Sequence, residues 1–366
     1  MITFAGRSIG AGAPCLVVAE LGTSHQGDLR QARALIDEAV AAGAECIKFQ
    51  LVHAREILHP KSGFVHLPTG RIALYDQFLA LERGLDFYAA LKEHTESAGA
   101  LFLCSPFGIQ SARELKELGA RALKIASPEL NHFPLLREAA SYGMPLFLSC
   151  GVSLLGDIER ALAITGKEQV MLLHCVTSYP APEEEYNVTV LESLRGVLGV
   201  QVGLSDHSLD PVLVPSLAVL HGAGVVEKHF TISRAGTGLD DPIALEPAQF
   251  RRMVSAIRRA EADQPAETHE RLRRDYGAER VRAVTGSGVK ELAPSERANY
   301  SRTNRSLHAA LEIHRGSVIA ASDVAVLRTE KELRPGIGPE FLPRVIGATA
   351  KRGVPDGEGI EWADII

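Results

Sequence analysis

The stretch from Val202 to Asp241 decides the fold: VGLSDHSLDPVLVPSLAVLHGAGVVEKHFTISRAGTGLDD. Two short apolar runs, VGLSDH and GVVEKHF, flank an apolar segment with helical character, and the whole has the length of one β-α-β unit. Both runs become polar at their C-terminal ends, which read Ser205-Asp206-His207 and Glu227-Lys228-His229. In a parallel α/β protein such strand ends lie on one face, and ligands bind at that face.

The same pattern recurs upstream of this stretch. Six more strand-like runs precede it: CLVVAELG (15–22), CIKFQL (46–51), LFLCSPF (101–107), ALKIAS (122–127), PLFLSCG (145–151) and VMLLHC (170–175). Each is followed by a segment with helical periodicity, and eight such units predict a closed (β/α)8 TIM barrel. A doubly wound open sheet is the alternative. It ranks second because no glycine-rich dinucleotide fingerprint follows the first strand.

Three further segments do not fit the repeat. The connection 52–83 is too long for an ordinary loop, which predicts a functional loop with a short helix. After a barrel domain of residues 1–265, residues 266–300 are charged and polar and indicate a linker with some helix. Residues 301–366 consist of short apolar stretches broken by Gly and Pro, which predicts a compact β-rich domain. A domain of that size is marginally stable alone and should pack on another surface.

Composition narrows the class of protein. The chain has 366 residues, of which 46% are hydrophobic and 23% charged, as in an ordinary soluble enzyme. The net charge of −6 argues against a nucleic acid partner. No apolar run is long enough to span a membrane, and the N-terminus does not read as a signal peptide. Cysteines such as Cys46 and Cys104 lie inside apolar runs, which predicts buried thiols in a cytoplasmic protein.

Polar residues follow the strand-like runs at or near their C-terminal ends, and in a barrel they would share one rim. These candidates are Glu20, Lys48, Gln50, Ser105, Lys124, Ser127, Ser149, Thr177, Tyr179, Ser205, His207 and His229. Lysines and hydroxyls that converge on one point favour a phosphate or carboxylate site. Two histidines near carboxylates favour a divalent metal or acid–base chemistry.

Each of these residues also has a structural interpretation. The two histidines could be hydrogen-bonded core residues, and Ser105 and Ser149 could cap helices. A lysine at a strand end could simply reach solvent. Lys124 or Lys228 could instead form a Schiff base, as in lysine-dependent aldolases. The convergence of eight strand ends, rather than any single residue, favours a binding site.

Several longer motifs resemble the sialic acid synthase family. They are AELGTSHQGDLRQARALIDEAVAAGAECIKFQ, KIASPELNHFPLL, LHCVTSYPAP, VGLSDHS and EKHFT, in the family's order. The family includes N-acetylneuraminate, legionaminate and pseudaminate synthases and spore-coat polysaccharide proteins. The C-terminal RSLHAALEIHRGSVI and ELRPGIGP are similar to its antifreeze-like (SAF) domain. The resemblance covers nearly the whole chain and implies a TIM barrel followed by a small β-clip SAF domain.

The resemblance also implies a reaction. Phosphoenolpyruvate would condense with an open-chain N-acyl hexosamine to give a nine-carbon 2-keto acid and phosphate, without an organic cofactor. His207 and His229 would hold Mn or Mg. The family's phosphoenolpyruvate residues match Lys48, Lys124, Ser105, Ser127, Ser149 and Ser205. Glu20 would position water or a sugar hydroxyl, and the positions facing the sugar match Gln50, Tyr179 and Asp240.

The family pattern further implies a homodimer in which the SAF domain covers the partner's barrel, with Arg305 reaching the partner's sugar site. This sequence departs from the pattern at several positions: Ser24 replaces Asn in GxNHxG, Pro128 replaces Gly in SGEL, and Asp241 replaces His in GxDH. Three other functions stay open: a related 3-deoxy sugar acid synthase, a lysine-type aldolase, and a non-catalytic sugar-binding protein on the same fold.

Overall fold

The structure, a computed structural model, describes residues 1–67 and 70–365. Its centre is a closed barrel of eight parallel strands, as predicted. The chain begins with an N-terminal hairpin of β1 (Ile2–Phe4) and β2 (Arg7–Ile9), and the barrel strands then follow in chain order around the ring. A second hairpin, β5–β6, lies in the connection between two of the barrel strands and is not part of the ring. The barrel strands are β3 (Leu16–Gly22), β4 (Cys46–Leu51), β7 (Leu101–Pro106), β8 (Leu123–Ile125), β9 (Leu146–Ser149), β10 (Val170–Cys175), β11 (Gln201–Asp206) and β12 (Val225–His229).

A helix follows every barrel strand and packs its apolar side onto the outside of the barrel. The (β/α)8 prediction is therefore confirmed, and the open sheet is excluded because the strand ring closes. The barrel helices are α1 (Leu29–Ala41), α4 (Leu85–Ser97), α5 (Ile109–Glu117), α6 (Phe133–Ala140), α7 (Leu155–Thr165), α8 (Val190–Leu198), α9 (Leu213–Leu220) and α10 (Pro247–Ala262).

The lower half of the barrel is filled by side chains. Ile2, Phe4 and Ile9 of the N-terminal hairpin pack against inward-facing residues of the strands, including Phe147, whose ring lies edge-on to Phe4 at 5.6 Å between centroids. Side chains alternate between the two faces of a strand. An inward apolar residue low in the barrel is therefore followed two or four residues later by an inward polar residue at the C-terminal rim.

The long connection after β4 has its own structure. It contains α2 (Ala54–Ile57), an antiparallel hairpin of β5 (Phe64–Leu67) and β6 (Gly70–Ala73), and α3 (Leu74–Leu81). The short helix predicted for residues 52–83 is present, and the segment contributes Phe78 to the barrel mouth. Pro68, which supported that prediction, lies outside the described residues.

Residues 265–285 form two helices, α11 (Pro265–Tyr276) and α12 (Ala278–Thr285), that pack against α9. The segment predicted as a linker is therefore largely ordered helix on the barrel surface. The C-terminal domain pairs β13 (Arg305–Ala309) with β14 (Val324–Arg328) around a small apolar core, and includes α13 (Leu342–Val345) and α14 (Trp362–Ile365). None of the described helices combines the length and apolar character that crossing a membrane requires.

Candidate active site

A cavity of about 250 Å³ opens at the C-terminal ends of the barrel strands. Every predicted site residue except Arg305 lines it. The predicted residues that do so are Glu20, Lys48, Gln50, Ser105, Lys124, Ser127, Ser149, Thr177, Tyr179, Ser205, His207, His229 and Asp240. The position at the strand ends is the usual one for the active site of an enzyme with this fold.

Two lysines and two carboxylates form a buried cluster at the cavity floor. Lys48 Nζ lies 3.0 Å from Glu20 Oε2 and 3.2 Å from Glu227 Oε1. Lys124 Nζ donates to both oxygens of Glu227 at 2.8 and 3.0 Å. Burial opposes the charge of Glu227, but the two lysines hold its pKa below the usual range. Glu227 therefore keeps two ammonium groups side by side in a dry site, where they can bind an anion.

Hydroxyl groups surround these ammonium groups. Ser205 Oγ donates to Glu227 at 3.1 Å, and Ser127 Oγ accepts from the Gly151 amide at 3.0 Å. Ser105 Oγ and Ser149 Oγ are buried and have no hydrogen-bond partner among the described residues. The helix-cap interpretation of these two serines is therefore wrong. A buried hydroxyl without a partner is costly, and a bound phosphate or carboxylate would satisfy both groups.

His207 and His229 face each other across the cavity, with ring centroids 5.5 Å apart. His207 Nδ1 lies 2.9 Å from the carbonyl oxygen of Val176. Because a carbonyl oxygen only accepts, Nδ1 carries the proton and donates, and the lone pair of Nε2 is available to a metal. Burial lowers the pKa of both imidazoles, and His207 further lowers that of His229. Both rings are therefore neutral near pH 7, the form that binds a metal.

The donor set fits a metal held by two protein ligands. Within residues 1–67 and 70–365, no group of three or more His, Cys, Asp or Glu side chains is arranged to hold an ion. Two neutral imidazoles can anchor a divalent ion when water or substrate oxygens supply the other ligands. The Tyr179 ring lies against that of His207, with 4.2 Å between centroids and 30° between the ring planes.

Three polar residues, Glu20, Gln50 and Asp240, form the wall next to Lys48 and His229. Gln50 Nε2 donates to Glu20 Oε1 at 2.6 Å, and Asp240 Oδ2 lies 3.8 Å from His229 Nδ1. Burial raises the pKa of Glu20, and burial together with the neighbouring Glu20 raises the pKa of Asp240 to about 6. A carboxyl group, a carboxamide and a second carboxyl can hydrogen-bond several hydroxyls of a polyol.

Lys228 does not line the cavity. Its ammonium points out of the barrel and donates to Asp206 Oδ2 at 2.7 Å and to Ser208 Oγ at 3.2 Å. Strand alternation explains this placement, because Glu227 and His229 point inward and the residue between them must point outward. Lys228 is therefore removed as a Schiff-base candidate, whereas Lys124 lies in the cavity.

Within its own chain, Arg305 lies away from the cavity, and its predicted reach to a partner's sugar site stays a prediction. Its side chain is 2% exposed and lies between the SAF domain and the barrel of its own chain. Nη2 donates to Glu129 Oε1 at 2.9 Å and to the carbonyl oxygen of Phe107 at 2.8 Å, and Nη1 donates to that of Val326 at 3.1 Å. These bonds occupy the guanidinium group, so it does not reach the cavity.

A different arginine of the SAF domain, Arg328, lines the cavity of this chain. Arg328, the register partner of Arg305 on β14, lines the mouth together with Thr303 and Phe78. Its Nε and Nη2 donate to Glu129 Oε1 at 2.9 and 2.7 Å. Sequence reasoning missed Arg328 and left Glu227 out of the site. Strand alternation predicts that Glu227 points into the barrel, because it lies two residues before His229 on the same strand. No pattern within the sequence of the SAF domain predicts that Arg328 lies over the barrel.

Comparison with known proteins settles the family. Residues 35–267 match the NeuB family, and residues 304–366 match the SAF domain. This chain belongs to the NeuB family. It is a synthase of that family, as the resemblance of its motifs predicted. The match of residues 304–366 also confirms the predicted SAF domain at the C-terminus.

Its NeuB relatives share the whole architecture. The spore coat polysaccharide biosynthesis protein SpsE of Bacillus subtilis is 31% identical over 99% of this chain and 96% of its own length. The crystal structure of SpsE superposes with a TM-score of 0.84 over 100% of this chain and 99% of that one. The N,N'-diacetyllegionaminic acid synthase of Campylobacter jejuni is 30% identical, covering 90% of this chain and 95% of the relative.

A solved N-acetylneuraminic acid synthetase from Leptospira borgpetersenii, in complex with citrate, is 33% identical to this chain. It has a TM-score of 0.66, and the match covers 75% of this chain and 96% of that chain. The relatives are therefore acid synthases and polysaccharide biosynthesis proteins that match this chain over most of their lengths.

Proposed function

We propose that this chain condenses phosphoenolpyruvate with an N-acyl hexosamine in its open-chain aldehyde form. The product is a nine-carbon sialic-acid-type 2-keto acid, and phosphate is released. The observation that carries the proposal is the pairing, in one cavity, of a buried lysine–hydroxyl cluster with two neutral imidazoles. The names of the relatives, which include an N,N'-diacetyllegionaminic acid synthase and an N-acetylneuraminate-9-phosphate synthase, support it.

The lysine–hydroxyl cluster would bind phosphoenolpyruvate. Lys48 and Lys124 supply two ammonium groups, and Ser105 and Ser149 supply hydroxyls that lack partners within the described chain. Charge-assisted donors of this kind match a phosphate and a carboxylate on one small molecule. Since Glu227 holds both lysines in position, the anion is oriented before the sugar reacts.

The wall formed by Glu20, Gln50 and Asp240 would bind the sugar and is called the sugar wall below. Glu20, Gln50 and Asp240 offer acceptors and one carboxamide donor to the hydroxyls of the open chain, and Tyr179 offers an aromatic face. The aldehyde carbon would then lie between the histidines and the anion. His207 and His229 would hold a divalent ion, Mn or Mg, which when bound acts as a Lewis acid toward the carbonyl oxygen.

The reaction balances with water as the third reactant. The methylene carbon of phosphoenolpyruvate forms a bond to the aldehyde carbon, and the aldehyde oxygen becomes a hydroxyl. Water adds to the carbon that carries the phosphate, and the bond from that carbon to the bridging oxygen breaks. One proton of the water ends on the sugar hydroxyl and the other on phosphate. Glu20, whose pKa burial raises, is placed to hold a proton in this exchange.

The direct test is phosphate release from phosphoenolpyruvate, with and without Mn, across a panel of sugars. The panel contains N-acetylmannosamine, its 6-phosphate and 2,4-diacetamido-2,4,6-trideoxyhexoses. Metal-dependent release with one sugar would establish the reaction and name the substrate. If phosphoenolpyruvate binds but no sugar supports release, the sugar half of the proposal fails. If phosphoenolpyruvate does not bind, the non-catalytic alternative is favoured.

A further inference from the structure

Two rim loops meet behind the sugar wall of the cavity. The first follows β3 and contains Thr23 and Ser24, and the second follows β12 and ends at Asp241. Ser24 Oγ donates to Asp241 Oδ1 at 2.5 Å, and the two residues are 2% and 1% exposed. Thr23 Oγ1 accepts from the Leu239 amide at 3.2 Å. The contact therefore joins the first and last strands of the barrel on the sugar side.

The second loop is folded around the Asp241 carboxylate. Asp241 Oδ2 accepts from the Gly238 amide at 2.8 Å. A Cβ atom on Gly236 would lie 2.1 Å from this oxygen, and one on Gly238 would lie 2.9 Å from it and 3.0 Å from Ser24 Cα. The backbone thus packs directly on the carboxylate and on Ser24, and its path depends on both residues.

The loop presents two residues to the cavity. Leu239 and Asp240 line it, whereas Ser24 and Asp241 do not. Asp240 is confined from a second side, since a Cβ atom on Gly22 would lie 2.8 Å from Asp240 Oδ2. The first loop is itself tied to α1, because Gln31 Nε2 donates to the Ser24 carbonyl oxygen at 2.6 Å.

We propose that Ser24 and Asp241 form a positioning pair that fixes Leu239 and Asp240 and thereby sets the fit of the sugar. The pair touches no reacting atom, so its effect passes through the loop. The two residues are also positions at which the sequence departs from the family pattern, and in this chain a hydrogen bond joins them. The inference rests on the proposed function, because it assumes that Asp240 faces the sugar.

The test is a double-mutant cycle of Ser24→Ala and Asp241→Asn. In Asp241→Asn, the amide oxygen can still accept from the Gly238 N–H, but its NH2 group faces Ser24, whose hydroxyl must then accept instead of donate, so two bonds to a carboxylate become neutral and weaker. We expect each single change to raise the sugar KM by about ten-fold or more, with the phosphoenolpyruvate KM within about two-fold. The double variant should be little worse than the worse single variant, because both remove one interaction.

A second pair tests the departure from the family pattern. The double variant Ser24→Asn/Asp241→His carries the residues of the family pattern. It should bind the sugar more tightly than Ser24→Asn or Asp241→His alone. Ser111→Ala is the matched control, because the buried Ser111 Oγ donates to the partly buried Glu56 carboxylate at 2.6 Å in another serine–carboxylate pair, outside the cavity. It should lower the melting temperature and leave both KM values unchanged.

Calorimetric binding of N-acetylmannosamine and of a 2,4-diacetamido-2,4,6-trideoxyhexose, in the presence of phosphoenolpyruvate and without divalent metal so that no condensation occurs, separates this inference from the proposed function. If the wild-type chain binds neither sugar, the proposed function fails and the inference fails with it. If the wild-type chain binds a sugar and Ser24→Ala and Asp241→Asn bind it equally well, the inference alone is overturned. Additive effects on both KM values, accompanied by loss of thermal stability, would likewise reduce the pair to a structural contact.

Discussion

At the scale of single residues, the two histidines are the sharpest test of the proposed chemistry. His207→Ala and His229→Ala should each lower metal-dependent phosphate release by about 100-fold or more, because each removes one of two candidate protein ligands. The barrel should stay folded, since both rings lie at the rim rather than in the core. Phosphate release and circular dichroism measure the two effects. His221→Ala, at a surface pair with Glu192, is the control.

Wild-type turnover in either histidine variant would refute the metal assignment. A lysine-type aldolase makes a different residue-level prediction. Borohydride would trap an imine on Lys124 in the presence of a carbonyl substrate, because Lys124 is the candidate Schiff-base lysine that lines the cavity. We expect no trapped adduct.

Variants of the two SAF arginines should differ in effect: the Arg305 variant should lose stability, and the Arg328 variant should lose affinity for the sugar. Arg305→Ala removes a buried ion pair to Glu129 and should lower the free energy of unfolding by about 3 kcal/mol. Arg328→Gln should raise the sugar KM by about ten-fold, because Arg328 lines the mouth. Denaturant melts and kinetics measure the two effects, and Arg113→Ala, at the exposed pair with Glu138, serves as control. An unchanged sugar KM in Arg328→Gln would contradict the assignment.

At the scale of elements, the end of β3 shows why a backbone feature belongs to the site. Gly22 has φ +48°, and a Cβ atom there would lie 2.8 Å from Asp240 Oδ2 and 3.5 Å from Gln50 Nε2. Gly22→Ala should therefore raise the sugar KM and lower stability by about 1 kcal/mol or more. Gly119→Ala is the matched control, since Gly119 has φ +76° and the added methyl would have no atom of the described residues within 4 Å.

If Gly22→Ala and Gly119→Ala change stability and the sugar KM alike, the close approach at Gly22 has no role in the site. A rise in the sugar KM confined to Gly22→Ala would support it. The comparison works because both glycines have positive φ, so the backbone strain of the methyl group is similar in the two variants.

The barrel elements were predictable because their signals are local. Apolar runs, helical periodicity and glycine stops lie within each strand or helix, and runs such as CIKFQL and VMLLHC coincide with β4 and β10. Strand alternation also predicts which rim residues point inward. The Ser24–Asp241 bond and the Arg328 position could not be predicted, because they join residues far apart in sequence through loop and domain packing.

At the scale of the whole molecule, buried neutral histidines link stability to pH. Burial lowers the pKa of His308 to about 4, and its Nε2 lies 2.9 Å from Ser306 Oγ, while Nδ1 lies 2.9 Å from the Gly357 carbonyl oxygen. Burial likewise lowers the pKa of His25 to about 4 and that of His174 to about 3. In the unfolded chain these groups bind protons near pH 6.5, so the unfolded state gains protons first on acidification.

Stability from these groups is therefore complete above about pH 6.5 and is lost as the pH falls toward about 4, by up to about 1.4 kcal/mol per pH unit for each histidine. The melting temperature at pH 5 should lie below that at pH 7.5. His308→Gln should show a smaller difference between the two pH values, whereas His314→Gln should not, because the His314 side chain is exposed. An equal pH dependence in all three proteins would contradict this account.

The homodimer implied by the family resemblance stays a prediction. Within one chain the SAF domain contacts the barrel through Arg305 and Arg328, which both donate to Glu129, and Arg328 also lines the cavity mouth. A swapped dimer would have to make equivalent contacts between two chains. Sedimentation equilibrium should give twice the monomer mass if the dimer forms, and a single-chain mass in active enzyme would refute it.

The fate of the bridging oxygen of phosphoenolpyruvate tests the central claim most directly. Phosphoenolpyruvate labelled with ¹⁸O at the bond between carbon and phosphate is turned over with the preferred sugar, and the phosphate and keto acid are analysed by mass spectrometry. Condensation in this cavity predicts that the heavy oxygen leaves with phosphate, because the carbon–oxygen bond breaks. Phosphate without the label would mean that the phosphorus–oxygen bond broke instead, and would contradict the proposed condensation.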